Sequence, residues 1–126
     1  MRNFGFLCGL ASLFALLLPC RAQDLVKVAP QHSKVLLEND DVRVVETTLA
    51  SGETDPVHTH PSGWYYVVQP GIMKITFADG KVAAWNSQAG EGGWLATKSP
   101  HSDENVGAKT IVWVLVEVKS AERPRR

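Results

Sequence analysis

Three of the chain's four histidines are spaced in a way that invites shared chemistry. His58-Thr59-His60 sets two imidazoles two positions apart, which on a strand places both on one face. Two neutral imidazoles on one face converge readily on one divalent cation, and Pro56 and Pro61 restrict the backbone on either side. His101 follows after forty intervening residues, behind Ser99-Pro100, and a barrel interior would bring it in as a third ligand. The cofactor such a set calls for is a divalent transition metal ion (iron, zinc, nickel, copper or manganese) rather than magnesium or calcium. Taken alone, His-x-His also reads as two surface histidines in a Pro-rich loop. No catalytic residue is assigned, and His32 is given no role. The sequence shows no Gly-rich phosphate loop, no defensible Ser-His-Asp spacing and no Cys-x-x-Cys.

Around these histidines stand residues with lesser claims. Alternation along a strand would turn Tyr65 to one face and Trp64 and Tyr66 to the other, so that one phenol points inward as a proton donor or simply packs in the core. Gln69 either orients a ligand or occupies a turn. Asp103 and Glu104 adjoin His101, either as an acceptor for its second ring nitrogen or as acids on a solvated loop. Asn105 is expected to pin the turn that follows. Trp85, Trp94 and Trp113 are expected in the core.

The elements that must position these groups read as short strands. Val35–Leu37 stops at the turn cluster Asn39-Asp40-Asp41, and Val42–Leu49 is β-branched and too short for an independent helix. Trp64–Val68, Ile72–Phe77, Val82–Trp85, Gly90–Leu95 and Thr110–Val118 complete the set. Asp79-Gly80 between two such runs predicts a hairpin, with glycine supplying the positive φ of a type I′ turn. Thr110–Val118 is nearly all apolar, as for a strand buried on both faces. No segment carries a helical stripe of useful length, and no repeat is visible. Seven or eight short strands separated by turns predict an all-β sandwich or small barrel.

The 126 residues leave room for one domain, and 44% apolar with 21% charged residues excludes a disordered or multi-span chain. Thirteen basic residues balance thirteen acidic ones. Residues 1–22 hold two of the basic residues and no acid, so the remainder carries a slight acidic excess and offers no nucleic-acid-binding face. That opening segment reads as a secretory signal peptide: Arg2, an apolar run from Phe4 to Leu18, then Pro19-Cys20-Arg21-Ala22 with small residues before a cut after Ala22. The run is short of the ~20 residues that span a bilayer. An uncleaved anchor and a lipoprotein acylated at Cys20 are the alternatives, the latter opposed by Pro19. Both cysteines (Cys8, Cys20) fall here, so the mature domain has no disulfide framework. The expected organisation is a leader over 1–22, a domain over 23–119 and a polar tail over 120–126. The mature protein would be secreted or periplasmic, without a membrane span.

The spacing around the histidines resembles the cupin family. Its first motif, G-x5-H-x-H-x3,4-E-x6-G, is matched by Gly52, His58, His60 and Gly71; its second, G-x5-P-x-G-x2-H-x3-N, by Gly90, His101 and Asn105. The stretch from His101 to Gly107 resembles the H-x-x-E-N-x-G ending of small stand-alone cupins. The likeness spans residues 35–118 and implies a jelly-roll β-barrel with metal ligands His58, His60 and His101 in its mouth. The chain departs from the pattern where the family's glutamate is due, at Trp64 or Tyr65, and where its second-motif Pro and Gly are due, at Ala96 and Lys98. With the leader and the charge of a three-histidine centre, the resemblance implies an exported metalloenzyme acting on a small acidic molecule, or a non-catalytic barrel that binds a small ligand or the metal itself. A homodimer is implied as well.

Overall fold

The computed structural model describes residues 23–96 and 99–119. The leader expected over 1–22 and the tail expected over 120–126 lie outside those residues. Ten strands and one helical turn run in chain order: β1 (Gln23–Asp24), α1 (Leu25–Val28), β2 (Ser33–Glu38), β3 (Val42–Leu49), β4 (Thr54–Thr59), β5 (Gly63–Gln69), β6 (Ile72–Phe77), β7 (Val82–Asn86), β8 (Gly92–Leu95), β9 (His101–Asn105) and β10 (Ile111–Val118).

The strands form two five-stranded sheets, ordered β1-β4-β9-β6-β7 and β2-β3-β10-β5-β8. Each is antiparallel apart from β1, which pairs in parallel with β4. The β-branched run Val42–Leu49 became β3 and pairs along its whole length with β10, from Leu49 opposite Ile111 to Val42 opposite Val118. The sheets close on a core of Leu49, Met73, Ile111 and Trp113, with Ile75 and Trp85 packed against it. This is the expected all-β jelly-roll architecture, drawn as two facing sheets.

Three expectations are corrected. β10 is buried on one face only: Ile111, Trp113, Leu115 and Glu117 point inward, while Val112, Val114, Val116 and Val118 are half-buried on the outside. Trp94 is not core but 58% exposed on β8. The β6–β7 hairpin forms without a type I′ turn, since only Gly80 has positive φ (+86°). Its N–H reaches the Phe77 carbonyl (2.9 Å) over Ala78-Asp79, and Gly80 follows in the left-handed region, as in a three-residue hairpin loop.

Candidate metal centre

Strands β4 and β9 lie side by side and carry the site. His58 is on β4, His60 follows its last residue, and His101 opens β9. Asp55 stands opposite Asp103 and His58 opposite His101, three steps on β4 against two on β9. The extra residue is a β-bulge within Pro56-Val57, where Pro56 has no N–H to give the ladder. Strict alternation would turn Asp55 and His58 to opposite faces; the bulge lets both be buried. On β9 alternation is regular, and His101, Asp103 and Asn105 are all buried.

The three imidazoles named from the sequence come together. Ring centroids are 4.5 Å apart for His58 and His101, 5.3 Å for His60 and His101, and 6.3 Å for His58 and His60. Each ring makes the same kind of hydrogen bond. Nδ1 of His58 lies 2.8 Å from the Pro56 carbonyl, that of His60 3.0 Å from the Pro61 carbonyl, and that of His101 2.8 Å from the Ser99 carbonyl. A carbonyl only accepts, so the proton is on Nδ1 in each ring and Nε2 keeps its lone pair. Burial holds the His58 ring well below the ordinary imidazole range, at about 4, outweighing the upward pull of the Pro56 carbonyl; the neighbouring His101 and His60 add to the fall. Burial lowers His60 in the same way. Neutral imidazoles in one tautomer are what a metal ion requires.

The sequence reading missed the role of Asp103. It lies on a buried strand rather than a solvated loop, and it does not bind the second nitrogen of His101, which Ser99 occupies. Its Oδ2 instead faces Nε2 of His58 at 3.7 Å and Nε2 of His101 at 3.8 Å. Donor atoms of His58, His101 and Asp103 all lie within 4.8 Å of one another; His60, though its ring is near both imidazoles, is not in that group. Asp103 Oδ1 is buried without a hydrogen-bond partner among the described residues, and burial pushes its carboxyl upward. Two lone-pair nitrogens and a carboxylate thus confront one another at distances too long for hydrogen bonds. Such acceptors repel unless a cation or a proton sits among them, and the donor set, imidazole with one carboxylate, fits a divalent transition metal.

A cavity of about 290 Å³ opens beside these groups between the sheets. Met73, Ile75, Phe77, Trp85 and Trp113 line it, together with the three histidines and Asp103. Tyr65 points into it, as strand alternation requires, while Trp64 stacks on Tyr66 outside. Its ring fits because Gly93 stands opposite: a Cβ there would come within 3.0 Å of the Tyr65 ring. The Tyr65 hydroxyl and the Trp85 indole both donate to Glu91 Oε1, each at 2.9 Å. No carboxylate stands at position 64 or 65.

The N-terminal segment closes one end. Leu25 is buried and lines the cavity. Asp24 takes two hydrogen bonds from the Arg43 guanidinium (2.6 and 2.9 Å), and Arg43 Nε donates to the buried Glu117. A second, more open chamber lies outside this clamp, with His60 and Glu117 lining both spaces. His32, unassigned from sequence, pairs through Nδ1 with the buried Asp55 at 2.6 Å; no spacing signal marked it. Asn105 does pin its turn, donating to the Leu49 and Lys109 carbonyls and accepting from Gly107 N–H. Gln69 is exposed at the end of β5.

The fold matches many solved structures. A cupin domain from Bordetella pertussis superposes with a TM-score of 0.64 at 19% identity, over 69% of this chain and 91% of that one. A protein with a double-stranded β-helix domain from Klebsiella pneumoniae matches with a TM-score of 0.57 at 21% identity, over 82% and 93%. The polyketide cyclase RemF from Streptomyces resistomycificus matches with a TM-score of 0.53 at 21% identity, over 74% of this chain and 66% of that one. No protein-family model and no curated protein matches the sequence. At these identities the likeness establishes the cupin fold and nothing finer.

Proposed function

We propose that the chain is an exported, single-domain member of the cupin family that holds a divalent transition metal on His58, His60 and His101, with Asp103 as a fourth donor, and uses it as a metalloenzyme on a small molecule. The observation that carries this reading is the confrontation of the His58 and His101 Nε2 lone pairs with the Asp103 carboxylate in a buried space. The motif spacing and the cupin fold support the family; Arg2, the apolar run after it and the small residues before position 23 support export. No described helix is long and apolar enough to cross a membrane.

When bound, a metal of this class supplies Lewis acidity and lowers the pKa of bound water. The chain's own residues do the rest. Pro56, Pro61 and Ser99 carbonyls fix the imidazole tautomer, which orients each Nε2. The apolar walls make the cavity a poor host for water. Tyr65, with its proton directed to Glu91, is a packing and orienting group rather than a free acid.

A second reading is a barrel that binds a small ligand or the metal without catalysis. It is favoured by the apolar lining and by the non-carboxylate residues Trp64 and Tyr65 at the family's glutamate position. Elemental analysis of purified protein, with His58→Ala and His101→Ala beside it, tests the metal. About one transition-metal ion per chain, lost in both variants, is expected; wild-type protein that takes up none from a buffered zinc or manganese solution would overturn the reading.

A further inference from the structure

We propose that the cavity is built for an uncharged, compact, mostly apolar molecule of one or two rings, and not for the acidic molecule that a metal charge by itself suggests. This rests on the reading of the cavity as the ligand site above. The wall is made of Leu25, Met73, Ile75, Phe77, Trp85 and Trp113, with no lysine or arginine among the described lining residues. Its charge-bearing groups besides the histidines are two acids, Asp103 and Glu117. An anion entering this space would give up its hydration with no described lysine or arginine to receive it, and the charge of a metal there is already offset in part by Asp103.

Two described cations line the outer chamber, and both are committed. Arg43 is held by Asp24 and Glu117, and Lys119 by Glu38 at 2.7 Å. A guanidinium held between two carboxylates presents no net positive field to a ligand. The outer chamber therefore offers an acid no more counter-charge than the inner one. An amine is disfavoured for a different reason, because it would compete with a metal cation for the same Asp103 carboxylate. Neutral ligands meet neither penalty. The cavity, about 290 Å³, stands at the small end of the ~300–1,000 Å³ range of ligand pockets. Rings on several sides (Phe77 against His101 at 5.9 Å, and Tyr65 edge-on to Trp85 at 5.4 Å) suit a flat ligand.

Three probes of one shape and different charge test this: 2-naphthol, 2-naphthoate and 2-(aminomethyl)naphthalene at pH 7. Binding is measured by calorimetry to metal-free and to zinc-loaded protein. Naphthol is expected to bind at least tenfold more tightly than naphthoate in both forms, and the amine to lose affinity when zinc is added. Ala83→Phe, on β7 opposite Ile75 and lining the cavity, is expected to weaken naphthol at least tenfold while thermal midpoint and zinc content stay unchanged. Naphthoate binding as tightly as naphthol, no binding of any probe, or full naphthol affinity in Ala83→Phe would overturn the proposal. Preference for naphthol in a protein that takes up no zinc would leave it standing and remove the metal reading instead.

Discussion

His58 and His101 face each other at one ladder position of β4 and β9, their ring centroids 4.5 Å apart, and each directs Nδ1 to the carbonyl two residues before it. The pair is therefore symmetric in its support as well as its position. Both Nε2 atoms are left to the same third group, Asp103.

That sharing makes Asp103→Asn the sharpest single change. Metal affinity is expected to fall by about 10- to 100-fold, the cost typical of disturbing a group that charges or orients a site. The metal-free variant is expected to be more stable than metal-free wild type, because an amide can donate to a lone-pair nitrogen where the carboxylate cannot. Competition with a chromogenic chelator reads the first effect and a thermal melt the second. Unchanged affinity would put Asp103 outside the coordination sphere.

Acid is expected to weaken the metal-free protein through His58. Its folded pKa, about 4, lies below the unfolded value of 6.5, so the unfolded chain binds more protons between those limits. Stability from this group is complete above pH 6.5 and is lost as pH falls toward 4, by an amount on the order of 3 kcal/mol. His60 acts in the same direction. Asp103, pushed upward by burial, opposes them by taking a proton in the folded state. Urea midpoints against pH for wild type and His58→Gln isolate the histidine: the variant's curve should be flatter over this window.

Arg43→Gln is expected to cost about 1–3 kcal/mol, since it removes a charge-assisted hydrogen bond from the buried Glu117 carboxylate. Asp24→Asn removes the outer half of the clamp only and should cost about 1 kcal/mol. It should also raise amide hydrogen exchange across residues 23–29, which Asp24 ties to the second sheet through Arg43. Exchange there that matches wild type would show that the Arg43 clamp does not anchor the segment.

Asn105→Ala removes three hydrogen bonds and leaves the Leu49 carbonyl buried without its side-chain donor. A loss of about 2–4 kcal/mol is expected by chemical denaturation. Metal content at saturating metal should be unchanged, because Asn105 contacts turns and not the cluster.

The homodimer implied by the resemblance is expected to use the outer face of the second sheet. Trp64 stacked on Tyr66, with Val68 and Trp94, forms an exposed aromatic ridge beside the half-buried strip of Val112, Val114 and Val116. Ridge and strip lie side by side, so a second copy turned by a two-fold axis sets each on the other, and apolar patches of this kind mark interfaces. Trp94→Lys should convert a dimer to a monomer in sedimentation experiments with the fold retained; a wild-type monomer at high concentration would refute it.

Strand composition located most of the fold. β3 and β6 occupy the stretches their runs marked, β7, β8 and β10 differ by a residue or two at one end, and β2 and β5 extend by one or two residues at both ends. β4 and β9 were hard to read because Thr54–Thr59 and His101–Asn105 are polar sequences whose inward side chains are ligands and hydrogen-bonding groups, not hydrophobes. The histidines were legible from spacing, since their types are rare and chemically distinctive. Asp103, His32 and the Arg43 clamp were not. Acids beside a histidine are common on loops, and a carboxylate's burial depends on what the opposite strand brings.

The supernumerary position in β4 sets the parity of everything after it. Were β4 paired evenly with Pro56 and Val57 both kept, the bulge would be gone and His58 would turn to the outer surface, while Asp55 kept its place beside His32. The same side chains on an unbulged strand would keep the ingredients of this cluster and lose their convergence.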